Sequence, residues 1–256
     1  MPQINYQVRH HTAEILFDNP PVNALSEAML EDYLSALGTA ADDPEVRTVI
    51  IGSNVPRRFS AGLDLSAIYR GEDTKVRSLI ERLYIRMTEA QFNLGKPSIA
   101  AINGTARGGG MTIAISCDMI VASSDATFGY PEIDAGVLPS IHFAHLPRIV
   151  GRHRAFELLF TGRAFSVDEA AELGLISRLA PRGESALDEA RRLAQVLNGK
   201  PGDAMRIGRR AFMHANDNGY RQSVSAAADN FCTVAATADA KEGIAAFVEK
   251  RRPNWR

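Results

Sequence analysis

The feature that most constrains the fold is a repeated strand–helix rhythm in the first half of the chain. Thr48–Gly52 (TVIIG), Ser98–Ile102 (SIAAI) and Asp118–Ala122 (DMIVA) read as short buried strands. Between them stand a helical stretch near Lys75–Leu94 and a shorter one after Gly110. This order predicts an α/β architecture with mostly parallel strands. Ahead of it, Tyr6–Arg9 and Ala13–Phe17 alternate like a hairpin, which Asn19-Pro20-Pro21 ends. Ser26 is an N-cap for a helix running to Leu37, with Gly38 as its stop.

From Arg152 the pattern turns helical. Ser166 and Glu169 form a capping box for a short helix that Gly174 closes. Further helices fit Ser185–Asn198, Gly202–Ala215, Tyr220–Thr237 and Asp239–Arg251. Gly199-Lys200-Pro201-Gly202 reads as a hinge. The expected organisation is a core over residues 1–198 and a C-terminal helical region over 199–256.

Lys plus Arg is 29 and Asp plus Glu is 30, a net charge of −1. That balance speaks against nucleic acid as a partner. It leaves room for a local basic pocket for one phosphate group. Cys117 and Cys232 are the only cysteines and no CxxC occurs, so no metal site is expected. They read as buried thiols in a reducing compartment. The polar opening MPQINYQVRH has no apolar signal core, and no apolar run reaches membrane-spanning length. A soluble cytoplasmic protein with no membrane partner is expected.

Two glycine-centred turns carry the chemistry. Phe59-Ser60-Ala61-Gly62-Leu63-Asp64-Leu65 follows the TVIIG strand. Asn103-Gly104-Thr105-Ala106-Arg107-Gly108-Gly109-Gly110-Met111 follows SIAAI and leads into a helix. Glycines there let the backbone approach a ligand and leave free N–H groups at a helix start. Such groups bind an anion or a developing oxyanion. A phosphate-binding P-loop fails, because Gly110 and Met111 stand where Lys and Ser/Thr are required. The dinucleotide G-x-G-x-x-G pattern is also absent from this run. A third segment, Phe128 to Pro139 (FGYPEIDAGVLP), offers Glu132 as a loop carboxylate.

In this order and spacing, the segments resemble the crotonase superfamily of enoyl-CoA hydratases and isomerases. The resemblance starts at Pro20-Pro21-Val22-Asn23-Ala24-Leu25 and runs through FSAGLDL and NGTARGGG. It continues through ISCDMIVASSDATFGYPEIDAGVLP and FTGRAFSVDEAAELGLISRLAP to Ala246-Phe247-Val248-Glu249-Lys250-Arg251. It implies a spiral of ββα units with a C-terminal helical region that builds homotrimers or hexamers. It implies an acyl-CoA thioester as substrate, with no separate cofactor. The implied oxyanion hole is the backbone N–H of Leu63 and of Gly109. CoA would be gripped near Val22, Ala24, Ala61, Asp64 and Leu65, with Gly108 beside it. Tyr130 would line the pocket, and Phe247 and Lys250 would close it, Lys250 pairing with a phosphate. Residues 66–85 would line the acyl pocket. In the tail helix, Ile244, Phe247 and Val248 form an apolar stripe for association.

The chain departs from the family at two places. Family hydratases carry one glutamate two residues after the last glycine of the second turn and another twenty residues later. Here those positions hold Thr112 and Glu132. Hydration divides its proton transfers between two carboxylates, whereas family isomerases shuttle a proton with the second alone. The second departure is Ser140-Ile141-His142-Phe143-Ala144-His145 in place of a glycine-rich stretch. His142 has two readings, an acid/base or a solvent-facing residue, and His145 reads as helix packing. Thr112 and His142 are auxiliary candidates beside Glu132, the expected acid/base. The expected activity is proton transfer, of the double-bond isomerisation type, on an acyl-CoA. Alternatives are slow enoyl-CoA hydration, decarboxylation, thioester hydrolysis and non-catalytic acyl-CoA binding.

Overall fold

The computed structural model describes residues 3–69 and 73–255. A hairpin opens it: β1 (Ile4–Arg9) and β2 (Thr12–Phe17) pair antiparallel, turning at His10 and His11. β3 (Ala24–Leu25) and α1 (Glu27–Asp42) follow. Ser26 caps α1, its Oγ accepting the Met29 N–H at 3.2 Å. The helix runs through Gly38 to Asp42, past the expected stop. Gly38 faces solvent and Ala40 beyond it is buried, so packing outweighs the roughly 1 kcal/mol cost of a helical glycine.

A strand–strand–helix unit then repeats. The first is β4 (Thr48–Ser53), β5 (Arg58–Ser60) and the short β6 (Gly62–Leu63), followed by helices α2 (Leu65–Tyr69), α3 (Asp73–Ile80) and α4 (Met87–Asn93). The expected single helix near Lys75–Leu94 is interrupted by a π-helical segment, Glu81–Arg86. The second unit is β7 (Ser98–Ile102), β8 (Thr105–Arg107) and α5 (Gly109–Ser116). The third is β9 (Met119–Ala122), β10 (Thr127–Gly129), a 3-10 turn at Pro131–Ala135, α6 (Ile141–Val150) and α7 (Arg152–Thr161). The first strands of the units stack in parallel in one sheet, ordered β1-β2-β4-β7-β9. The second strands stack in another, where β10, β8 and β5 run parallel. This is the spiral of ββα units that the sequence resemblance implies.

β11 (Ala164–Ser166) closes the second sheet, and α8 (Val167–Glu172) is capped by Ser166, whose Oγ accepts the Glu169 N–H. β12 (Arg178–Leu179) adds to the edge of the first sheet at β9, and α9 (Ala186–Asn198) covers it. Strand alternation divides the core. Val49 and Ile51 of β4 join the main cluster with Phe17 and Tyr33, while Ile50 faces Ala186, Ala190 and Leu193 of α9.

α10 (Gly202–Ala235) is one helix where two were expected. Its 34 residues extend about 51 Å. Neither Asn216 nor Gly219 breaks it, because side chains fasten it on both sides of that segment. Arg209 is buried and donates to Asp118 Oδ2 at 2.8 Å and to the Gln91 carbonyl at 2.8 Å. Arg221 pairs with Glu89 and lies 4.0 Å over the Phe92 ring. α11 (Ala238–Val248) ends the fold. It is seated on the 3-10 turn, where a Cβ at Gly243 would fall 2.4 Å from the Ala135 carbonyl oxygen.

Removing Arg209 takes the cation from the Asp118 carboxylate, whose Oδ2 is left with the Ser98 N–H and Oγ as donors. Arg209→Ala is expected to lose about 3 kcal/mol of stability, since breaking a buried pair costs more than the pair contributes. Urea denaturation measures it, and a loss within experimental error would contradict the anchoring role.

Candidate functional site

A cavity of about 310 Å³ opens where the two glycine turns, the 3-10 turn and the two last helices meet. Its wall includes Ala61, Leu63 and Leu65 from the first turn and Gly108, Gly109 and Thr112 from the second. Glu132 and Asp134 come from the 3-10 turn, and Phe231 and Phe247 from α10 and α11.

The first turn is held by a buried asparagine. Asn23 Nδ2 donates to Ser53 Oγ at 2.7 Å and to the Phe59 carbonyl at 2.9 Å. Ser60 Oγ donates back to the Asn23 carbonyl at 2.7 Å and accepts the Gly62 N–H at 3.1 Å. β6 then pairs with β3, and the Asp64 N–H goes to the Leu25 carbonyl at 3.1 Å. Strand alternation turns the neighbouring Leu63 N–H to the opposite side. The second turn starts α5 at Gly109, whose N–H lies in the first helical turn and has no intrahelical acceptor. The turns touch. A Cβ at Gly62 (φ +92°) would lie 3.1 Å from Gly109 N, and one at Gly109 would lie 3.5 Å from Leu63 N. Leu63 and Gly109 therefore offer two backbone N–H groups side by side.

Glu132 faces this pair. A Cβ at Gly108 would lie 3.2 Å from Glu132 Oε1. Glu132 Oε2 is sealed from solvent and has no hydrogen-bond partner among the described residues. Burial pushes the carboxyl up to about 7, against one weak opposing backbone hydrogen bond. Such a carboxyl both takes and gives a proton near neutral pH.

Thr112 is buried on the same wall and its Oγ1 lies 3.2 Å from His142 Nε2. His142 is fully buried at the start of α6 and does not face solvent. Burial holds its imidazole well below the ordinary range, so it is neutral. His145 packs on Tyr220, with ring centroids 5.4 Å apart, and burial holds it at about 4.

The other expected residues divide. Val22 and Ala24 back the first turn, where the Val22 carbonyl accepts the Ala61 N–H at 2.9 Å. Asp64 spends its carboxylate on Ser66, accepting from N at 3.0 Å and Oγ at 2.6 Å. Tyr130 is fully buried behind the wall, its ring 4.5 Å from that of His142, and does not line the cavity. Phe247 does line it, and Lys250 lies on the surface beyond α11. The expected apolar stripe splits, because Ile244 is buried within its own chain while Phe247 is 65% exposed. Leu83 and Tyr84, from residues 66–85, are on the wall, and residues 70–72 of that segment lie outside the described residues. Phe231 and Val137 were not legible as site residues, since one looks like any helix core residue and the other like any loop aliphatic.

The Glu132 carboxyl is raised above its ordinary value in the fold, so folded protein binds the proton more tightly than unfolded chain. The contribution of this group to stability is full below pH of about 4.5 and is lost as pH rises through about 7. Glu132→Gln removes the charge. The variant is expected to gain on the order of 2 kcal/mol over wild type at pH 8 relative to pH 5. Parallel urea titrations at the two pH values measure this, and a pH-independent difference would contradict the burial of the charge.

The family described as enoyl-CoA hydratase/isomerase matches residues 8–256. A probable enoyl-CoA hydratase of Bacillus subtilis is 34% identical, over 100% of this chain and 99% of its own. A crotonyl-CoA hydratase of Syntrophomonas wolfei is 34% identical, over 94% of this chain and 93% of its own. The crystal structure of an enoyl-CoA hydratase from Mycobacterium avium subsp. paratuberculosis superposes with a TM-score of 0.88 at 25% identity, covering 99% and 98% of the two chains. With that match across nearly its whole length, the chain belongs to the enoyl-CoA hydratase/isomerase family of crotonase-fold enzymes acting on acyl-CoA.

Proposed function

We propose that the chain moves a proton between carbons of an acyl-CoA, as a double-bond isomerase does, with Glu132 as its one acid/base. The observation that carries this reading is that Glu132, whose Oε2 is buried, faces the glycine turns while Thr112 stands where the family hydratases hold a second glutamate. The thioester oxygen accepts from the Leu63 and Gly109 N–H groups. Glu132 takes a proton from one carbon and the negative charge passes to that oxygen. The same carboxyl returns the proton to another carbon as the charge flows back. The two N–H donors are worth about 3 kcal/mol each in such a hole. Raising Glu132 to about 7 suits a group that must be base and then acid in one turnover.

The names of the relatives favour a second reading, since they are hydratases. Hydration also needs a base for water, and a threonine hydroxyl is a poor one. Kinetics separates the readings. Wild type is expected to hydrate crotonyl-CoA ~10²–10⁴-fold more slowly than an enzyme with both carboxylates. Thr112→Glu is expected to raise that hydration. Glu132→Gln is expected to abolish turnover of every active substrate while CoA binding persists. The kcat/KM of wild type should rise with pH through about 7, as Glu132 ionises to act as base. Ordinary hydratase speed in wild type, or activity in Glu132→Gln, would contradict the proposal.

The proposal extends to assembly as a trimer or hexamer. Exposed Phe156 and Phe160 stack at 4.3 Å, and Phe143 stacks on Phe160 at 5.6 Å. An apolar cluster of this kind supports contact with another copy. Light scattering at micromolar concentration is expected to give the mass of three or six chains, and a monomer would contradict this.

A further inference from the structure

A second cavity, of about 130 Å³, is enclosed by α4, the end of α5, α6 and α10. It shares no wall residue with the cavity that holds Glu132. Three polar atoms of its wall residues are sealed from solvent and have no hydrogen-bond partner among the described residues. They are Thr88 Oγ1, Gln91 Oε1 and His145 Nδ1. Thr88 is 7% exposed and Gln91 1%. Orphaned polar groups are costly in a core, so three of them around one cavity point to a polar occupant. The Glu132 chemistry uses none of them.

The neighbours of each group define what the occupant must offer. Gln91 Nε2 donates to Tyr33 Oη at 3.1 Å and to Cys117 Sγ at 3.7 Å. Cys117 gives its own S–H to the Ile113 carbonyl at 3.6 Å, so its sulfur accepts from Gln91 and sets the amide's orientation. Gln91 Oε1 is therefore an acceptor without a donor. Burial holds His145 at about 4, so its ring is neutral at physiological pH. A neutral imidazole carries one N–H, and a buried N–H without an acceptor is rarer than a buried acceptor without a donor. His145 Nδ1 is thus a second acceptor, and Thr88 supplies a hydroxyl proton. Two acceptors and one donor are matched by a ligand with two donors and one acceptor, which a primary carboxamide carries on adjacent atoms. The charged wall residues Asp118 and Arg221 are already paired, with Arg209 and Glu89, so the wall calls for no ion. Phe92, Ile115 and Met213 offer apolar contact to the rest of such a ligand. The cavity is several times the ~30 Å³ share of one water, and Phe212, 66% exposed, stands at its mouth.

We infer that this cavity is a binding site for a small uncharged primary carboxamide, separate from the acyl-CoA site. NMR of protein labelled at its methyl groups tests it, because Ile115 and Met213 report this cavity while Leu63 and Val137 report the other. The probes are isobutyramide, 3-methyl-2-butanone and isobutyrate. The ketone keeps the amide's shape and carbonyl without its N–H groups, and isobutyrate adds a charge. Isobutyramide is expected to shift Ile115 and Met213 saturably and to bind about tenfold more tightly than the ketone. Isobutyrate is expected to bind more weakly than the amide. Thr88→Val keeps the shape of the side chain and should weaken the amide about three- to tenfold. Gln91→Met should bring the amide to the affinity of the ketone. If Gln91→Met fails to fold, Thr88→Val decides. Equal affinity for amide and ketone would overturn the inference, as would amide binding unchanged in Thr88→Val. Shifts confined to Leu63 and Val137 would place the probe in the acyl-CoA cavity and overturn it too. No saturable shift at Ile115 and Met213, the result for a cavity that holds water only, would also overturn it.

Discussion

The two glycine turns meet so closely that neither has room for a side chain at the contact. Gly62 would place a Cβ 3.0 Å from the Arg107 carbonyl and 3.1 Å from Gly109 N. That approach sets the Leu63 and Gly109 N–H groups beside one another, and the rest of the site is arranged around them. Two sheets are needed to produce it. The first strands of successive ββα units fix the spacing of the turns, and the second strands, β5 and β8, bring the turns together. Asn23 then locks the first turn from beneath with its amide, which explains why a buried polar residue belongs in the Pro20–Leu25 segment.

Glu132 reaches the same place by another route. It rides on a 3-10 turn whose far side is packed against α11 through Gly243. The tail helix therefore supports the carboxylate as well as adding Phe247 to the wall. Among the described residues no cation pairs with Glu132, and burial is the chief influence on its acidity. An ion pair would have held it ionised and made it a poor acid. The fold leaves it uncompensated at some cost in stability, a common bargain at sites of proton transfer.

Much of this was legible in the letters because backbone chemistry leaves its own signature. The strands TVIIG and SIAAI, the caps at Ser26 and Ser166, and the glycines at both turns are local features, and each recurs in the structure. Boundaries set by distant packing were not legible. Gly38 looked like a helix stop, and the stretch around Asn216 to Gly219 looked like a break, yet tertiary contacts carry α1 and α10 through them. The π-helical segment that sets Leu83 and Tyr84 on the wall has no sequence mark of its own. His142 was ambiguous because a histidine near a loop looks the same in sequence whether buried or exposed. Only the fold brings its Nε2 to Thr112, 30 positions away. Tyr130 follows the same logic in reverse, since its place beside Glu132 in sequence does not put it on the cavity wall.

The central claim is that one carboxylate, Glu132, moves the proton while the Leu63 and Gly109 N–H groups hold the charge. Exchange of the Cα hydrogens of bound butyryl-CoA with D₂O, followed by NMR, reports that step with no product chemistry in the way. The account predicts exchange catalysed by wild type and by Thr112→Val, and lost in Glu132→Gln. Exchange that continues in Glu132→Gln, or that vanishes in Thr112→Val, would contradict it.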